Sequence, residues 1–435
     1  MGHGFGLRTL TFLVVANMIG AGVFTTSGFS LAELGSPALV IAAWMVGGVV
    51  ALAGAISYGR LVRALPESGG EYLFLSRAAH PMLGFVAGWV SIIAGFSGAI
   101  AFAATAFETY IAPASVRPSW LPEDTVAAAV IVAGGLLHGF RVQLGARVQD
   151  AAVVIKLLLL AGFLAIAVMT LPSGNWAGAP LEAGPAGAWA AIAAFAGSLV
   201  WISLSYSGFN AAVYVAEEVE DARRIVPTAL WRGTLIVVVL YVLLNTVFVF
   251  GPPADRIAGQ PDVAAIAAAW LAGDAVAMFV RAIIAVALFT SVSSMLMAAP
   301  RVYAKMADDG VLPRFLSFQD GTPRGAVLAQ VVVALALVFV TTLRDLLSYL
   351  GLTLSLTAAL SVTCLFLPSI REHPLLHRAS LVPLFYIGAT VLAGTIMALG
   401  EPSQVIGTVL TFGVGAVAYL VTRARCRRDS VDRLS

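Results

Sequence analysis

What this 435-residue chain has least of is charge: Asp, Glu, Lys and Arg make up 11% of it, where a soluble domain carries about 25%. With 60% hydrophobic residues and a mean hydropathy of +0.94, its surface cannot face water on all sides. A soluble globular protein is excluded. Cysteine is almost missing too. Cys364 lies in an apolar run and Cys426 in a basic tail, so no disulfide framework is expected. No His/Cys spacing suits a metal, no glycine loop cradles phosphate, and no nucleophile stands beside a base. A membrane-embedded enzyme would need clustered His or carboxylates inside its spans. These are absent, and no cofactor is expected. No stretch rich in charge, Ser or Pro is long enough to link soluble domains, and no cleavable leader precedes the first apolar run.

What the chain does have is long apolar runs, and roughly 20 such residues make one helical span. Spans are read at Leu10–Leu34, Pro37–Leu61, Met82–Ile111, Thr125–Phe140, Val148–Leu171 and Ala188–Ala216. Six more follow at Pro227–Phe250, Ala275–Tyr303, Ala326–Thr342, Leu346–Leu367, Leu381–Leu399 and Val405–Thr422. The reading is an all-α membrane protein, twelve transmembrane helices in one domain covering residues 1–435. With both termini cytoplasmic, twenty of the 25 Lys and Arg residues fall inside, three outside (Arg117, Arg256, Arg344) and two within spans (Lys156, Arg281). A missed span would invert every later loop and blur this contrast. The basic tail, 423–435, is expected to meet anionic lipid rather than nucleic acid. Within the outer loop Pro252–Ala272, a helical pattern around Ala264–Leu271 predicts a short lid.

Two of these spans are interrupted, at Ile19-Gly20-Ala21-Gly22 and at Ser205-Tyr206-Ser207-Gly208. Taken alone, Gly20-Ala21-Gly22 reads as a small-residue helix contact, and the polar run from Ser203 to Asn210 as a stripe facing other helices. Together they read otherwise. A break inside a bilayer exposes N–H and C=O groups that lipid cannot satisfy, so it survives only where it lines a polar cavity or binds something. One break near the start of each half points to a carrier whose ligand sits between two broken helices. Repeat one then covers about 8–171 and repeat two about 188–368, in opposite topologies, with two extra helices at about 381–422.

The residues around the breaks carry a resemblance. Ile19-Gly20-Ala21-Gly22-Val23-Phe24 resembles the first-span glycine region of the amino acid–polyamine–organocation (APC) transporters. Tyr206-Ser207-Gly208-Phe209-Asn210, with Glu217-Glu218 and Arg223-Arg224-Ile225-Val226-Pro227 behind it, is similar to the sixth-span signature of that family's amino acid exchangers. Pro66-Glu67-Ser68-Gly69-Gly70-Glu71-Tyr72 resembles the family's first cytoplasmic loop. Arg147-Val148-Gln149-Asp150 with Lys156-Leu157 resembles the start of the fifth span, and Arg301–Gly310 the end of the eighth. The resemblance implies the five-plus-five inverted repeat of the leucine transporter (LeuT), with helices one and six broken, and transport of an amino acid across the cell (plasma or inner) membrane.

A zwitterion brings a carboxylate and an ammonium. The N–H groups of Ala21, Gly22 and Val23, at a helix N-terminus, suit the carboxylate. Carbonyls at Met18, Ile19, Leu204 and Ser207, beside Gly208, suit the ammonium, and Asn210 offers a further polar contact. Ala21 lacks the hydroxyl many relatives carry there. Leu204 replaces an aromatic gate, which leaves Trp201 or Tyr206 to cover the substrate. Because the pocket has no assured acidic side chain, an uncharged amino acid is favoured over a cationic one or a polyamine.

Lys156 sits about eight residues, roughly 12 Å, inside the fifth span. An ionised Lys there costs on the order of 2.5–3.5 kcal/mol, so it needs a partner or a task unless it snorkels to the surface. In sodium-coupled relatives an ion bridges spans one, five and eight. An ammonium in that place, facing Ser291, Ser293 or Ser294, implies sodium-independent transport with Lys156 as brace or proton carrier; a sodium symporter and a channel remain alternatives. Arg281 either snorkels or pairs with Asp274 or Glu108. Residues 112–124 contain no cysteine, so no disulfide-linked partner subunit is expected.

Overall fold

The computed structural model describes residues 6–114, 117–140, 145–170, 176, 184–308, 312–318, 323–371 and 381–432. Among these every regular element is helical. The helices α1 (Leu7–Met18) and α2 (Gly22–Leu34) are inclined to each other by 43°. Next come α3 (Pro37–Ala64) and the short α4 (Gly70–Ala78). One apolar span is then built from α5 (Pro81–Val90), a π-helical stretch at Ser91–Gly98 and α6 (Ala99–Ile111). After α7 (Thr125–Phe140) and α8 (Gly145–Thr170), α9 (Ala188–Ser205) passes through a turn into a 3-10 helix at Ala211–Glu218. The chain continues with α10 (Ala222–Phe250), α11 (Ala254–Ile257), α12 (Val263–Ala272), α13 (Asp274–Asp308) and α14 (Arg324–Val340). It ends with α15 (Leu343–Thr363), α16 (Pro368–Arg371), α17 (Leu381–Gly400) and α18 (Ile406–Asp432).

Among the described residues, seven helices are long and apolar enough to cross a membrane, or eight when the bent pair α1–α2 counts as one. Shorter apolar helices stand where the sequence places spans four, five, nine and twelve. A further short apolar helix, Val263–Ala272, falls on the helical pattern read within Pro252–Ala272.

Helix ends follow local chemistry. Pro37 and Pro81 occupy first-turn positions, where a missing N–H costs nothing. Gly35, at φ 67°, closes α2 in the left-handed conformation. Thr342 and Asp345 form a reciprocal capping box on α15. The Glu108 carboxylate accepts the N–H groups of Asp124 and Ala127 at 2.9 and 2.8 Å and so starts α7.

The helices meet through small residues, as expected where lipid offers no hydrophobic drive to association. α3 packs on α10, α9 and α17; α1 on α10; α6 on α13; and α2 on α9. A methyl group on Gly54 would sit 2.9 Å from the Phe209 ring, and one on Gly59 3.1 Å from Cα of Pro227. Large apolar side chains such as Met45, Val49, Ile236, Val239 and Leu243 stay exposed on the outside, a surface that water would not tolerate.

Candidate functional site

The first break spans Ile19–Ala21. Ile19 leaves the helical region at φ −76°, ψ 88°, and the Gly20 N–H turns back to the Met18 carbonyl at 2.9 Å. α2 then begins at Gly22, so the N–H groups of Ala21, Gly22 and Val23 stand where a helix's own ladder supplies no acceptor. The second break follows Ser205. Its Ser207 N–H reaches the Leu204 carbonyl at 3.0 Å, and Gly208 takes φ +92°, a conformation open to glycine at little cost. Polar Ser203 helps to loosen this end: its hydroxyl donates to the Val200 carbonyl at 2.6 Å, competing with the helical ladder. The span read at Ala188–Ala216 ends as an α-helix at Ser205, where the sequence places its break.

The two breaks lie against one another. A methyl group on Gly22 would sit 2.9 Å from the Ser205 Cα, and one on Gly208 2.8 Å from the Asn17 carbonyl oxygen. The Thr26 and Ser205 hydroxyls share a buried hydrogen bond of 3.0 Å. Beside this tight crossing there is room: a methyl group on Gly20 would meet nothing within 4 Å. Residues 21–28 are buried, whereas Asn17 is exposed and Gly20 half-buried. Of the predicted site residues, Gly22 and Gly208 make this contact, and Met18, Ile19, Ala21, Val23, Leu204, Ser207 and Asn210 lie within a few positions of it along the chain.

Its walls are held by neutral groups. The Tyr241 hydroxyl donates to the Met18 carbonyl at 2.6 Å. Trp44 Nε1 donates to the Ser27 hydroxyl at 2.8 Å, which donates to Asn245 Oδ1 at 2.5 Å. Tyr206 turns away from the crossing into the Trp44 and Tyr241 rings, its hydroxyl on the Trp44 carbonyl at 3.2 Å. Trp201 is the aromatic on the other side of Leu204. Its Nε1 donates to Ser348 at 2.7 Å, Phe29 meets its ring edge-on, and Arg344 lies 5.1 Å from its centroid. Arg344 in turn pairs with Glu33 at 2.5 Å and Glu401 at 3.7 Å.

One charged group close to the second break escapes sequence reasoning. Glu71 is buried, and its carboxylate accepts from the Tyr58 hydroxyl at 2.8 Å, the Tyr214 hydroxyl at 2.6 Å and the Asn210 amide at 2.5 Å. A glutamate directly after a glycine pair, at the start of α4, was the available signal. Arg281 pairs with Asp262 at 2.5 Å, while Glu108 pairs with Arg117 at 2.8 Å; neither Asp274 nor Glu108 is the partner of Arg281. Lys156 lies in α8, but its side chain, like that of Ser294, lies outside the described residues. Ser291 donates to the Ala287 carbonyl at 3.0 Å.

The amino acid permease family matches residues 5–413. The chain belongs to this family. It is an amino acid transporter of the APC superfamily and an integral membrane protein, not an enzyme. It is similar to the human cystine/glutamate transporter, 27% identical over 381 residues, which cover 86% of this chain and 75% of that protein. The human Asc-type amino acid transporter 1 is 24% identical over 431 residues, 95% of this chain and 80% of the relative. The rat large neutral amino acids transporter small subunit 2 is 26% identical over 354 residues, 80% and 66% of the two chains.

Proposed function

We propose that the chain is a secondary active transporter of neutral amino acids, working by alternating access in a twelve-span LeuT-type fold. The observation that carries this reading is the crossing of two broken helices, with open space at Gly20 and, among the described residues, no charged side chain bonded to the main chain of either break. The N–H groups of Ala21, Gly22 and Val23, at the start of α2, would take the substrate carboxylate. Met18 and Leu204 already receive donors, so the Ser207 carbonyl and the Asn210 side chain are the favoured acceptors for the ammonium. One of the similar proteins is named for large neutral amino acids, which supports the same substrate class.

Transport is read as sodium-independent, either exchanging or proton-coupled, because Lys156 would stand where sodium-coupled relatives place their ion. Uptake of a radiolabelled amino acid panel into proteoliposomes tests the whole reading. Neutral amino acids should saturate, with sodium dispensable and either internal substrate or a pH gradient stimulating uptake. Absolute dependence on sodium, or preference for cationic substrates, would overturn it. Lys156→Ala should abolish the response to the pH gradient or slow exchange about tenfold or more; wild-type rate and pH dependence would remove Lys156 from coupling.

A further inference from the structure

Asn210 stands at the inner end of the second break, and what it can offer a ligand depends on which way its amide faces. The structure contains a group that decides this. Glu71 Oε1 lies 2.5 Å from the Asn210 amide nitrogen, and the Tyr214 hydroxyl oxygen lies 3.5 Å from the same nitrogen. The Asn210 nitrogen donates to Glu71 Oε1, so it is the nitrogen of Asn210, not its oxygen, that faces Glu71. The remaining functional atom of Asn210 is its carbonyl oxygen, an acceptor. An ammonium is the end of an amino acid that an acceptor serves.

The loop that carries Glu71 is fastened to the segment after the break at further points. The Ser68 hydroxyl accepts the Glu217 N–H at 3.1 Å. Gly70, at φ +57°, lies flat under Tyr214, where a methyl group would sit 2.9 Å from the ring carbon Cζ. Glu71 starts from the first turn of α4, and Tyr58 of α3 completes its hydrogen bonds. Among the described residues no Lys or Arg pairs with it. Its charge is held by two phenols and one amide, so the Asn210 amide is a structural donor to a carboxylate that has few others.

We infer that Glu71 is a positioning residue for the transport site: it holds the Asn210 amide nitrogen and thereby presents the Asn210 carbonyl oxygen to the substrate ammonium. This rests on the transport reading above. It explains why an acidic side chain can stand close to a site for neutral substrates: its carboxylate is engaged in orienting Asn210.

A double-mutant cycle in proteoliposome uptake tests it. Glu71→Leu and Asn210→Ala should each raise the KM for a neutral amino acid about tenfold with little loss of maximal rate. The double variant should be no worse than Asn210→Ala alone. Tyr58→Phe removes another donor of the same carboxylate without touching Asn210, and should lower the melting temperature while leaving KM unchanged. A reciprocal swap guards against misfolding of Glu71→Leu. Asn210→Asp sets two carboxylates face to face and should raise KM; adding Glu71→Gln restores a donor–acceptor pair and should bring KM back. Additive effects in the cycle, an equal KM change in Tyr58→Phe, or no recovery in the swap would each overturn the inference. Wild-type protein that transports no amino acid would instead overturn the transport reading, and this one with it.

Discussion

The two breaks solve one problem in different ways. At the first, every residue keeps an ordinary negative φ, the bend is 43°, and the Met18 carbonyl is satisfied by the neutral Tyr241 hydroxyl. The helix before it is wedged onto α10, where a methyl group on Gly233 would sit 2.7 Å from the Val14 Cβ. At the second, the turn needs Gly208 at φ +92°. The chain resumes as a 3-10 helix with Val215 distorted to φ −119°, ψ 20°. A carboxylate from a distant loop holds it. A 3-10 helix has poorer hydrogen-bond geometry than an α-helix. Its position therefore depends on contacts from outside more than that of α1 does. The comparison teaches that the segment after the second break is the part of the site most open to control by the rest of the fold.

The sharpest way to break this comparison is Gly208→Ala. An alanine at that φ costs about 1–3 kcal/mol before its methyl meets the Asn17 carbonyl 2.8 Å away. Uptake should be lost and the melting temperature should fall; full uptake with an unchanged melting curve would show that the second break needs no glycine. Gly20→Ala separates folding from function. Nothing lies within 4 Å of the added methyl, so the melting temperature should hold, while KM rises about tenfold as the space beside the first break fills. An unaltered KM would place the substrate elsewhere. Tyr241→Phe removes one donor to Met18 and leaves the Gly20 N–H. About 1 kcal/mol of stability should go with it, with uptake slowed several-fold.

The smallest expected effect lies far from both breaks and serves as a control. Burial, then Glu108 and Glu123, raise the Asp124 carboxyl above its ordinary pKa, against the pull of Arg117. A carboxyl that binds its proton more tightly in the folded state supports the fold at low pH, and that support is lost as pH climbs through the raised value. Asp124→Asn should therefore raise the melting temperature slightly above that pH and not below it, and asparagine suits the φ of 65° there. Uptake should stay unchanged.

The two breaks were legible along the chain because their signals are local. Glycines and hydroxyls inside apolar runs mark where a helix cannot continue cheaply in lipid, and both breaks fall where those residues stand. The helix at Val263–Ala272 likewise follows from a few consecutive apolar residues. Partnerships between charges were not legible. Glu71 meets Asn210 across 139 positions, and Arg344 meets Glu33 across 311. Arg281 pairs with Asp262 and not with the Asp274 or Glu108 that the sequence suggested. Tyr206, adjacent to the second break, faces the Trp44 and Tyr241 rings instead of the open space.

The order of residues by itself determined that this chain lives in a membrane and where its helices give way, because hydrophobic length and backbone satisfaction are properties of short stretches. Only tertiary structure decided that the two weak points touch, which carbonyls are already occupied, and that a buried carboxylate orients Asn210. Those outcomes depend on which helix faces which, and a hydrogen bond a few ångströms long has no memory of how far apart its partners stand in the chain.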